Sequence, residues 1–120
     1  MFNNLRTRIG VSKAKIAYEN ALVQEQQSKN ELNKVIYEAV LDLLAAEKQY
    51  RSSTLAFSSM KEAFHVIQQR YKVGLANTVE LITSQTDRNK AEFDLIAAGY
   101  NVVFRTKIID YYLGKPLRLN

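Results

Sequence analysis

The chain has 120 residues, with 17 Lys and Arg against 12 Asp and Glu, no Cys, one Pro and four Gly, so it forms at most one domain and holds no disulfide. Pro116 and glycines at 10, 74, 99 and 114 leave residues 11–73 free of both strong breakers, which excludes a turn-rich, many-stranded β protein. Apolar runs fall far short of the roughly 20 residues that span a bilayer as a helix, and no apolar stretch follows a basic start, so neither a transmembrane helix nor a secretory leader is expected.

The net charge of +5 is unevenly placed. Residues 1–15 carry Arg6, Arg8, Lys13 and Lys15 and no acid, whereas 16–70 carry seven acids and six bases and 71–120 five acids and seven bases. Four cations without interleaved aromatics are a weak phosphate-binding signal, and a solvated helix start or a membrane-proximal collar explains them at least as well. No nucleic-acid partner is expected.

Along the chain, Ile36, Ala39, Leu43, Ala46, Tyr50, Ser53, Phe57, Met60, Phe64, Ile67 and Tyr71 recur on alternating steps of three and four, and ten of these eleven are apolar. This is the seam of a coiled coil, whose alternate positions pack into a neighbouring helix. Carried back through Ile16, Ile9 and Leu5, it predicts a long helix, placed at 4–73, with a periodic extent of roughly 65 residues, on the order of 100 Å. Gly74 then supplies the left-handed position favoured after a helix end. Asn77 and Glu80 have capping-box spacing, so a tip turn is expected at 74–77 and a return helix of roughly 35 residues at 78–113. Its apolar positions are Val79, Ile82, Phe93, Ile96, Tyr100, Val103 and Phe104, and Gly114 and Pro116 close it before a tail at 114–120.

So short a connection makes the helices antiparallel neighbours. The fold class is therefore all-α, a long antiparallel coiled-coil helical hairpin spanning 1–120 as one unit. Equal rise on both arms sets Leu113 opposite about residue 38, leaving residues 5–37 without a partner although Ile9, Val11, Ile16, Leu22 and Val23 call for burial. Because an exposed single helix is marginal in water, the chain reads as an obligate oligomer or a piece of something larger.

Catalytic constellations are missing. His65 is the single histidine, there is no Cys, and no phosphate-cradling loop or metal motif occurs. Glu38, Asp42 and Glu47 lack a histidine at the spacing of helical di-metal sites and read as solvated charges. No enzyme activity, cofactor or metal is expected. Tyr50, Phe57, Phe64, Tyr71, Phe93 and Tyr100 read as ordinary core packing. The tip differs, because Val73, Leu75 and Ala76 are apolar where polar residues are usual. Either they dock onto a partner, or Leu75 folds back onto its own helix end.

Three blocks resemble the TolC-like outer-membrane efflux and secretion channels. FNNLRTRIGVSKAKIAYENA resembles the start of the long helix in the second repeat, RYKVGLANTVELITSQTDRNKAE the periplasmic tip, and YNVVFRTKIIDYYLGKPL the close of the last long helix. The resemblance implies a homotrimer in the full-length protein, with outer-membrane strands absent from this chain and helices forming a hollow periplasmic barrel. That barrel would dock by its tip onto a periplasmic adaptor protein and, through it, an inner-membrane pump. Such a protein would sit in the outer membrane of a Gram-negative bacterium, with this segment in the periplasm, and conduct drugs or secreted substrates. Position by position, Val73, Gly74, Leu75 and Ala76 match the adaptor-contacting tip. Tyr71 and Glu80 match residues that constrict the aperture in some members, although Glu80 has the capping role as well. Ala76 stands where some members carry Arg and Thr83 where a second acid occurs, so a polar lock would be partial. The alternative is a coiled-coil hairpin of a periplasmic adaptor or structural scaffold, whose two arms tend to be of equal length. The isolated chain would also be able to self-associate through its exposed seams as a four-helix dimer.

Overall fold

The computed structural model describes residues 2–114. Two helices account for nearly all of them: α1, Phe2–Lys72, and α2, Thr78–Tyr112. The fold is all-α, an extended hairpin of two long antiparallel helices of 71 and 35 residues. The chain divides into two units, Met1–Glu38 and Ala39–Asn120.

In the first unit, every described residue from 2 to 35 is exposed. Side-chain interactions here are local, such as the Lys29–Glu25 pair at 3.4 Å and the Gln26–Asn30 bond at 3.2 Å. Pairs of this kind add only a few tenths of a kcal/mol each.

The second unit holds the packing. Of the predicted α1 seam, Ala39, Ala46 and Ser53 are buried and Leu43, Phe57, Phe64 and Ile67 half-buried. On α2 the inward residues are Leu81, Ser84, Arg88, Ala91, Leu95, Ala98, Val102, Arg105 and Ile109, again on alternating steps of three and four, with Ala91 and Ala98 buried. Small residues at seven-residue spacing on both arms let the backbones approach closely. Three cross-hairpin pairs mark the register: Arg105–Asp42 at 3.5 Å, Gly99 beside Tyr50, and the Arg88 guanidinium 5.7 Å from the Phe64 ring centroid. All three are centred between residues 73 and 76, where the chain turns.

Phe93 and Tyr100, expected as core, are instead 71% and 74% exposed, and Tyr50, Met60 and Tyr71 of the expected α1 seam are exposed as well, because they lie at its edge with no neighbour on their outer side. Val79, Ile82, Ile96, Val103 and Phe104 are exposed too. The bulkiest residues of α2 thus lie outside the seam, whose α2 side is set by Ala91 and Ala98 and whose rings, Phe57 and Phe64, come from α1.

Both helices end on glycine. Gly74 has φ +79°; its N–H donates to Tyr71 O at 3.1 Å, and the Leu75 N–H to Arg70 O at 2.8 Å. These two bonds define a Schellman ending, which occupies carbonyls that the helix terminus would otherwise leave unpaired. Gly114, with φ +76°, donates to Tyr111 O at 3.1 Å. Pro116 and the expected tail from Lys115 onward lie outside the described residues.

The same substitution should act with opposite sign at two glycines. Gly74→Ala places a Cβ in the left-handed region and should cost about 1–2 kcal/mol. At Gly99 a Cβ would lie 3.4 Å from Tyr50 Cε2, ordinary contact distance, so Gly99→Ala should gain roughly 0.5–1 kcal/mol of helix propensity. Urea unfolding followed by circular dichroism measures both.

Candidate functional site

The tip is assembled from a helix end at Lys72, a five-residue connection, 73–77, and a helix start at Thr78. After the Schellman ending, Asn77 adopts an extended conformation, φ −90° and ψ 171°. Its Oδ1 accepts from the Glu80 N–H at 2.8 Å, and its own N–H donates to Glu80 Oε2 at 3.2 Å. The capping box is complete, so the Glu80 carboxylate is committed to the helix start. Both ends of the turn are hydrogen-bonded, one by backbone and the other by the cap.

What this frame displays is apolar. Val73 and Leu75 are exposed, Leu75 by 68%, and Val79 and Ile82 are exposed on the first turns of α2. Leu75 does not fold back: the positions that would receive it in a Schellman ending are occupied by Arg70 and Gln69, which offer no apolar surface of matching kind. Ala76 is half-buried, Gly74 exposed, and Tyr71 40% exposed at the end of the α1 seam. Thus Val73, Gly74 and Leu75 present outward together, while Tyr71 and Glu80 flank them on the two arms.

Away from the tip, the outer face of α2 was not anticipated as a surface. Its residues Val79, Ile82, Thr86, Asn89, Phe93, Ile96, Tyr100 and Val103 follow alternating steps of three and four, a second seam offset by two residues from the inward one. At 100° per residue that offset is about 200°, nearly the opposite side of the helix. Ile96, Tyr100 and Val103 line, together with Tyr50, Leu95, Gly99 and Val102, an open groove of about 530 Å³. A second groove, lined by Gln49, Ser52, Ser53, Met60, Asp87, Lys90 and Asp94 among others, is more polar.

Arg88 is the anomaly of the inward seam. It is half-buried, its guanidinium lies over Phe64 at cation–π distance, and its Nε has no hydrogen-bond partner. Asp42, which the sequence sets near Glu38 and Glu47, pairs with Arg105 at 3.5 Å. Among the described residues no group of three or more His, Asp or Glu side chains converges for a metal, and no helix is long and apolar enough to cross a membrane. The chain matches no protein-family model, no curated protein and no solved structure.

The capping box can be separated from any further role of Glu80 by two variants. Asn77→Ala should lower stability by about 1 kcal/mol, whereas Glu80→Gln, which keeps an acceptor at the same position, should change it by less than about half of that. Thermal unfolding monitored at 222 nm, on the order of 5 °C per kcal/mol, resolves the difference.

Proposed function

We propose that this hairpin is the periplasmic part of a trimeric outer-membrane channel of the TolC-like kind, docking by its tip onto a periplasmic adaptor of an efflux or type I secretion system. The observation that carries the reading is the tip itself: a turn hydrogen-bonded at both ends that holds Val73 and Leu75 in solvent. A soluble loop gains nothing from exposed branched aliphatics, whereas a docking tip gains apolar contact area.

The outer stripe of α2 supports the same reading. A helix with seams on opposite sides is suited to lie between two neighbours, as in the wall of a helical barrel. The chain would then contribute no chemistry. Its work would be mechanical: Gly74 and the capping box set the tip, and the register pair Arg105–Asp42 keeps the arms aligned while the tip is engaged. Tyr71 and Glu80, on opposite arms beside the turn, are the residues through which an aperture would narrow.

The test is Leu75→Asp placed in the full-length protein in its own cell. Export of efflux substrates should fall at least tenfold, by loss of a central apolar contact worth about 1.4 kcal/mol or more, with the protein's abundance in the outer-membrane fraction unchanged. Unimpaired export, or a protein that does not fractionate with the outer membrane, overturns the reading.

A further inference from the structure

We infer that the protein surface receiving the tip is an apolar seat bordered on two sides by carboxylates. This rests on the docking reading above and adds to it the chemistry of the partner. Arg70 and Lys72 are both exposed in the last turn of α1, and at 100° per residue they stand to either side of Tyr71, the last position of the α1 seam. The hairpin thus carries one cation on each flank, directly behind the exposed Val73 and Leu75. Neither cation enters an ion pair among the described residues. Acids that would neutralise them are missing from this end. Between residues 63 and 86 the single acid is Glu80, whose carboxylate accepts the Asn77 N–H at 3.2 Å. Glu62, the next acid along α1, lies about 12 Å back from Arg70 at the helical rise.

Part of this charge serves the helix itself, since cations in a last turn complement its carbonyl end. That role is limited here, because the Gly74 and Leu75 N–H groups already occupy the Tyr71 and Arg70 carbonyls. The remaining charge selects the occupant. A polyanion would satisfy Arg70 and Lys72 and leave Val73 and Leu75 in water. A wholly apolar socket would bury the two aliphatics and strip water from two cations without pairing them, which is costly. An anionic bilayer offers both chemistries, but two side chains on a tight turn insert far less apolar area than the face of an interfacial helix. A protein socket with Asp or Glu on its rim meets both requirements, and rim charges of this kind steer association and fix orientation.

The experiment is made in the full-length protein in its own cell. Arg70→Glu with Lys72→Glu should lower export at least about tenfold, at unchanged abundance in the outer-membrane fraction. Arg70→Lys with Lys72→Arg, which keeps both charges, should leave export within about twofold. Selection for restored export in the charge-reversed strain should return changes of Asp or Glu to Lys or Arg in the partner protein, beside its apolar seat. On the chain itself the reversal should move the thermal midpoint by no more than about 5 °C, which separates an export loss from unfolding. Intact export in the reversed strain, while Leu75→Asp impairs it, overturns the carboxylate rim and leaves the docking tip standing. Intact export in both overturns the docking reading and this inference with it. Suppressors confined to the channel, or none in any protein, as an anionic lipid surface would give, overturn it as well.

Discussion

Close approach of two helices at small residues is the constraint on which the rest of the hairpin depends. Ala39, Ala46 and Ser53 on α1, and Ala91 and Ala98 on α2, are the buried positions among the described residues, and no large side chain is fully buried. Each alanine removes little apolar area from water, so most of the apolar burial in the seam comes from the half-buried Leu43, Phe57, Phe64, Ile67, Leu81 and Leu95 between them. Such a core is thin. The largest apolar side chains of α2, Phe93 and Tyr100, stay outside it, and the rings within it, Phe57 and Phe64, come from α1.

With that constraint goes reliance on a directional pair for register. A seam of alanines at seven-residue spacing would tolerate a slip by one heptad. Arg105–Asp42 would be broken by such a slip, which sets Arg105 against Val35 or Gln49, whereas Arg88 would meet Phe57 or Tyr71 in place of Phe64. The Arg105–Asp42 pair is largely exposed and contributes little to stability; its contribution is to alignment. Arg88 does not discriminate this register, since α1 carries an aromatic residue, Phe57 or Tyr71, one heptad to either side of Phe64. In the function proposed here, that alignment fixes the height of the tip, and the outer stripe of α2 supplies the contact with the next helix of the wall.

Much of this was legible in the sequence, for reasons that differ from residue to residue. The α1 seam was readable because its positions include Ile, Leu and Phe on strict three-four steps. The turn was readable because Gly74, Asn77 and Glu80 each have one conformational use at those spacings, and the two capping bonds are present at 2.8 and 3.2 Å. The inner face of α2 was hidden because hydrophobic periodicity weighs Phe93 and Tyr100 above Ala91 and Ala98, and both stripes have the same period. Matching small residues at seven-residue spacing across the arms, Ala39 and Ala46 against Ala91 and Ala98, was the signal that separates them. Likewise, the exposure of Leu75 was readable from Arg70 and Gln69, which leave a Schellman leucine without its usual apolar seat.

The face that α2 turns toward α1 is the claim from which the outer stripe, and hence the need for neighbours, is derived. The chain contains no cysteine, so single thiols can be placed without background. Alkylation rates of Ala98→Cys and Tyr100→Cys in the folded chain, each divided by its rate in urea, test the assignment directly. Ala98→Cys should be protected at least about tenfold relative to Tyr100→Cys, as expected for a side chain 8% exposed against one 74% exposed. Equal rates, or a protected Cys at 100 with a reactive one at 98, would contradict the packing described for the hairpin.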